Sequence, residues 1–231
     1  MTETDTITVF INPLQLLEVD EPWASLTTTG PIADDIFNFL CAPGVPSDVN
    51  SLASRYKEVS QEKKRLFVAP NDPRILEKLV WPLRHAKASY IVGNFLSTIA
   101  LCGMVSEMMA LFLFELAQID GIEVKSDKGV VMTSESFESE GQQGRVKTLW
   151  KSKVIEDDLK SDFDYIRTTR RRYLHLWSQD HASLKEDGRT VFQRTVDLVV
   201  KSLGFGVNQG KVIFKSAVLK YLQKGGVYKS V

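Results

Sequence analysis

Between Asp162 and Trp177 the chain reads DFDYIRTTRRRYLHLW, with three consecutive arginines close to a histidine. An imidazole titrates near neutrality and can give or take a proton, while a guanidinium grips a phosphate through two parallel hydrogen bonds. Together they suit metal-free cleavage of RNA. That reaction needs a base for the 2′-hydroxyl, an acid for the leaving oxygen, and cations for the charge that builds around phosphorus. The same composition is also the ordinary make-up of a solvated basic helix face.

Placed on a helix at about 100 degrees per residue, the segment separates into two faces. Phe163, Ile166, Tyr173, Leu174 and Trp177 form an apolar stripe at steps of three and four, and Arg170 falls on that stripe, seven residues after Phe163. A guanidinium on the core side requires an acid or a bound anion, because leaving it unpaired costs several kcal/mol. Glu107, in the middle of a long apolar segment, is the candidate acid; the pair would be either a structural brace between two helices or part of a site. The opposite face carries Asp164, Thr168, Arg171 and His175, with Arg172 alongside.

The elements that must position these groups are helical. Ser47 and Asp48 offer N-caps to a helix running to about Arg65. Asn71-Asp72-Pro73 starts another, a capping side chain followed by proline at the first helical position. Pro82 lacks a backbone donor, so a kink or break is expected near Trp81 before a long helix resumes through Leu116, ended by Gly121. That helix is apolar on nearly every face from Ile99 to Leu116, yet Glu107 at mid-bilayer would cost roughly 2.5 to 3.5 kcal/mol. Glu115, Asn94 and Ser106 add to the cost, so it is expected to be the core helix of a bundle and not a membrane span. Small residues Ala100, Gly103 and Ala110 would let neighbouring helices approach closely. Residues 121–147, rich in Gly, Ser, Lys and Glu, are expected to form a mobile connector, with a hairpin around Asp127-Lys128-Gly129. Helices follow from Leu149 to about Ser178, from Arg189 to Leu203, and from Lys211 to Gln223.

Bulk composition sets outer bounds. A chain of 231 residues, 43% hydrophobic, can bury a substantial core. The N-terminus lacks the basic start and apolar stretch of a signal peptide, and the two cysteines, Cys41 and Cys102, make no disulfide framework, so a cytoplasmic protein is expected. His85, His175 and His181 are scattered without metal-ligand spacing, so no metal or cofactor is called for. Net charge is zero but uneven. Residues 1–54 hold eight acids and no Lys or Arg, whereas residues 198–231 hold six lysines and no acid. Either the two ends complement each other, within or between subunits, or the basic end is an anion-binding surface.

The run from Arg170 to His175 resembles the signature of the HEPN superfamily of helical-bundle proteins: an Arg, four to six residues, then a His, near the end of a long helix. AKASYIVGNFLSTIALCGMVSEMMALFLFEL is similar to the long apolar helix with a central acid in HEPN-like bacterial families, and IRTTRRRYLH to their Arg-bearing segment. The likeness covers roughly residues 83–203. It implies a mainly α fold, a bundle of four to five helices over residues 71–231, with residues 1–70 a partly irregular acidic appendage. It implies a homodimer with two Arg-x4-His segments facing each other, and a metal-independent ribonuclease of the kind found in toxins and defence nucleases, with RNA as substrate and an antitoxin or other protein as partner. Carried over, Arg170 orients the motif or binds phosphate and His175 is the acid or base. Arg171 and Arg172 would contact RNA, and Glu107 and Tyr173 would support them. The chain departs from the commonest pattern at Arg171, where a polar residue, often Asn, is usual.

Residues five apart on a regular helix point about 140 degrees away from each other, so Arg170 and His175 cannot share a face. Either the helix is distorted there, or Arg170 is an internal brace and Arg171 or Arg172 meets the phosphate beside His175; the brace is favoured. A non-catalytic interaction module of the same fold is the alternative, since a bundle can keep its packing while its site changes. Conventional metabolism finds little support: GxGxxG, Walker A and GxSxG motifs are lacking, and Gly204-Phe205-Gly206 reads as a helix end. Binding of a free nucleotide at the Arg cluster remains a third reading.

Overall fold

The computed structural model describes residues 49–60, 72–176, 180–203 and 215–225, and the backbone of 206–208 and 211–213. The expectations for residues 1–48, for the extension of the first helix towards Arg65 and for Trp177 lie outside these residues.

Among the described residues the fold is mainly helical, and its start signals act as their chemistry dictates. Helix α1 spans Val49–Ser60. The Asp72 carboxylate accepts the Ile75 N–H at 3.0 Å, and Pro73 opens the single turn α2, Pro73–Ile75. The chain does not break at Trp81. It passes instead through a π-helical turn, Leu76–Val80, into α3, Trp81–Val92. Pro82 cannot donate to the Lys78 carbonyl, and the wider turn avoids that demand by bonding the Trp81 N–H to Leu76 O.

The true break comes at Gly93 and Asn94. Gly93 ends α3 in the left-handed region, φ 87°, and the Asn94 side chain accepts the Ser97 N–H at 3.1 Å to open α4, Phe95–Ile119. Gly121, at φ 72°, closes α4, with the Ile122 N–H returning to Ala117 O.

The expected mobile connector is a folded segment. Lys125 bridges Val131 across a turn at Gly129, where the hairpin was expected, and two helices follow, α5 Ser134–Ser139 and α6 Gln142–Lys151. Thr133 and Ser136 cap α5 reciprocally. Val124, Met132, Phe137 and Val146 are buried anchors, and the Phe137 ring stacks on Phe114 with centroids 4.2 Å apart. These few apolar residues, spaced among polar ones, hold down a stretch whose average composition is that of a loop.

The helix expected from Leu149 to Ser178 is divided by a turn at Lys153, φ 58°, so the arginine-bearing helix α7 spans Asp157–His175. Helix α8 spans Leu184–Leu203 and begins one turn before Arg189. Lys211 starts no helix: β1, Gly206–Asn208, pairs antiparallel with β2, Lys211–Ile213, before α9, Ser216–Lys224.

Helix α4 is the axis of the bundle, packed against α3, α8, α7, α6 and α9. By length and composition it could cross a membrane, and 56% of its most apolar stretch is buried inside the protein. Helix α1, within the segment assigned to the appendage, packs on the bundle. Arg55 donates to Ile91 O at 2.7 Å, and Glu58 accepts the Tyr90 hydroxyl at 2.6 Å and pairs with Lys185 at 3.0 Å.

Candidate functional site

Helix α7 lies between α4 and α8, and its two sides are held by different chemistry. Towards the core it buries Phe163, Ile166 and Tyr173, as the apolar stripe requires, whereas Leu174 is exposed. Arg170, on the same side, reaches α4, where its guanidinium hydrogen-bonds and ion-pairs with Glu107. The arginine stem passes against Gly103: a Cβ built there would overlap Arg170 Cδ. The small residue admits the side chain rather than a helix backbone. Arg170 Nε is buried with no partner, covered by α4 itself. Arg170 is thus a brace between α7 and α4.

Towards α8 the seam is polar. Arg194 donates to Asp162 at 3.0 Å and stacks over Tyr165 at 4.4 Å, while Lys201 reaches Asp158 at 3.0 Å and Asp162 at 3.4 Å. At the other end of the seam Asp187, in the first turn of α8, collects three donors. Tyr173 donates to Oδ2 at 2.6 Å, Arg172 to the same oxygen at 2.9 Å, and Tyr165 to Oδ1 at 3.4 Å. These pairings run in opposite chain directions, so α7 and α8 are antiparallel. Burial and the hydrogen bond to Asp187 raise the Tyr173 hydroxyl above its ordinary value. Arg172, although partial burial disfavours its charge, is held more firmly protonated by Tyr173 and Asp187. Arg172 and Tyr173 are therefore engaged with Asp187.

Arg171 and His175 are exposed, and among the described residues no hydrogen bond or ion pair reaches either. On the same outer face Asp164 is shared by Lys160 and Arg167, and the Thr168 hydroxyl donates to the Asp164 carbonyl. Of the residues singled out by sequence, the structure joins Arg170 to Glu107, gives Arg172 and Tyr173 to Asp187, and leaves Arg171 and His175 exposed at the end of α7 with no partner among the described residues. His175 is the last residue of that helix.

Sequence reasoning missed Asp187. Its one signal was an acid in the first turn of the helix following the arginine run, a position that ordinarily needs no partner because the helix dipole already favours it. A groove of about 460 Å³ lies elsewhere, lined by Arg74, Glu115, Gln118, Ile119, Tyr221 and Lys224. Its cations sit where α4 and α9 both end, beside Glu115, and so offset the negative ends of two helices.

No family model matches this chain, and neither a curated protein nor a solved structure does so.

Proposed function

We propose that this chain is a HEPN-like, metal-independent ribonuclease of the cytoplasm, working within a toxin or phage-defence system. Its reacting groups are Arg171 and His175, supplied by two copies of the chain. The observation that carries the reading is the division of labour on α7. Arg170 is consumed by Glu107, while Arg171 and His175, four residues apart at the helix end, are exposed and have no partner among the described residues. One imidazole can serve as base or acid, not both at once. A second copy meeting the first across a two-fold axis would supply the other, together with a second guanidinium for the phosphorane charge. The Arg171 guanidinium, a permanent cation able to bind phosphate bidentately, suits that role where a polar residue is more usual.

A second reading, a non-catalytic dimerisation and interaction module, is favoured by one observation: Asp187 engages Arg172 and Tyr173, leaving Arg171 as the cation near His175 with no partner among the described residues. The experiment that separates the two is incubation of the protein, and of His175→Ala, with mixed RNA in EDTA, followed by analysis of fragment ends. Cleavage by wild type alone, leaving 2′,3′-cyclic phosphates, is expected. Equal inactivity of the two proteins, in dimeric form by sedimentation, would leave the interaction module.

A further inference from the structure

Away from α7, the outer face of the π-turn and α3 carries Lys78, Trp81, Arg84 and His85 at spacings of three, three and one, all exposed. Trp81 is 47% exposed. It is the most exposed aromatic side chain among the described residues, and cations stand on either side of it. Among the described residues no acid pairs with Lys78, Arg84 or His85, although most of the bundle's other cations are paired. The one acid in the same stretch, Glu77, is exposed and makes no ion pair. Further along α3, Lys87 lies 4.8 Å over the ring of Tyr56, itself 36% exposed, which adds a second aromatic beside a cation. Trp81 also follows directly on the π-helical turn, a local irregularity that recurs at functional positions.

We propose that this face binds single-stranded RNA, with Trp81 as a stacking platform for an unpaired base and Lys78 and Arg84 on the flanking phosphates. The proposal rests on the preceding reading only for the class of ligand, RNA, and for nothing about cleavage. Charge and shape select the occupant. Cations with no acid partner among the described residues, on both sides of an aromatic, match a polyanion with exposed π-faces, whereas a duplex hides those faces within its own stack. From Lys78 to His85 the helix rises about 10 Å, the length of about three phosphates of one strand at duplex spacing. Recognition of this kind is tolerant of sequence, because every base offers a π-face.

The test is fluorescence anisotropy of a labelled oligouridylate in EDTA, using the full chain carrying His175→Ala so that cleavage cannot intrude. A duplex of equal length serves as comparison. Trp81→Ala should weaken oligouridylate binding about 5- to 150-fold, the range that loss of one stacked base predicts, and Trp81→Phe should restore most of it. Lys78→Ala with Arg84→Ala should lower the slope of log affinity against log salt by about 1.4, two phosphate contacts on a single strand. Unchanged binding in Trp81→Ala, equal affinity for the duplex, or absence of binding would each overturn the proposal. RNA cleavage by the wild-type chain without Trp81-dependent binding refutes this inference alone; Trp81-dependent binding with no cleavage by the wild-type chain refutes the nuclease reading alone.

Discussion

Arg170 crosses α4 at Gly103, and no space for a methyl group remains between them. The contact has a signed consequence. Gly103→Ala gains about 1 kcal/mol of helix propensity but drives the arginine stem off Glu107, at an overpacking cost of about 1–3 kcal/mol. In the wild-type background the substitution should be destabilising. In Arg170→Ala it should be stabilising by about 1 kcal/mol. A double-mutant cycle in urea reads the difference as a coupling energy, and additivity of the two substitutions would show that the contact does not matter.

Asp187 bears on stability as well as on the placing of α7. Its side chain is only 15% exposed and accepts from Tyr173, Arg172 and Tyr165. Asp187→Ala should cost about 2–3 kcal/mol, and Asp187→Asn, which keeps one acceptor, about half as much. Hydrogen exchange should speed at amides near Arg172 and Tyr173 in Asp187→Ala, and unchanged exchange there would argue against the clasp.

His175, by contrast, touches nothing described. His175→Ala should leave the denaturation midpoint within the shift expected of a surface substitution, about 0.5 kcal/mol, whatever it does to turnover. Unfolding of this variant would assign His175 to packing and remove it from the site.

Alkaline pH should weaken the fold. Burial pushes the Cys102 thiol up to about 12 from an ordinary value of 9.0. Burial and the hydrogen bond to Glu58 carry the Tyr90 hydroxyl well above the usual phenol range. Both groups are raised, so their protonated forms belong to the folded state. Their contribution is complete below the unfolded values and is lost as pH climbs through the folded ones. Urea midpoints should fall between about pH 9 and 12. Tyr90→Phe should flatten the upper part of that decline, and a midpoint independent of pH in that range would contradict it.

Much of the bundle was legible from residues alone, because its signals were local. Asp72 and Pro73 started a helix where capping chemistry said they would, Gly121 ended one, and the apolar run around Glu107 became the central helix. The Arg170–Glu107 pair was legible too, since a cation on an apolar stripe must find an acid. What escaped depended on partners distant in sequence. The segment 121–147 looked mobile because its average composition was polar, while its order comes from single anchors such as Phe137 landing on Phe114. Arg172 looked available for phosphate because nothing in its own helix claims it, and the claimant, Asp187, lies in the next helix. The exposed setting of Trp81 had no sequence signature either, since a tryptophan in a helical run normally implies burial.

The joint at Gly93 and Asn94 also bears on how the chain finds its fold. It closes α3 onto α4, the most extensively packed pair of helices, through a two-residue connection. Loop-closure entropy is small for so short a link, so this helical hairpin can assemble before any contact that must bring distant segments together. The seam between α7 and α8, made of polar side chains, would then be laid onto a scaffold already formed. Substituting Gly93 by Val, which resists the left-handed conformation, should slow refolding as well as lower stability, whereas changes at Asp187 should act chiefly on the rate of unfolding.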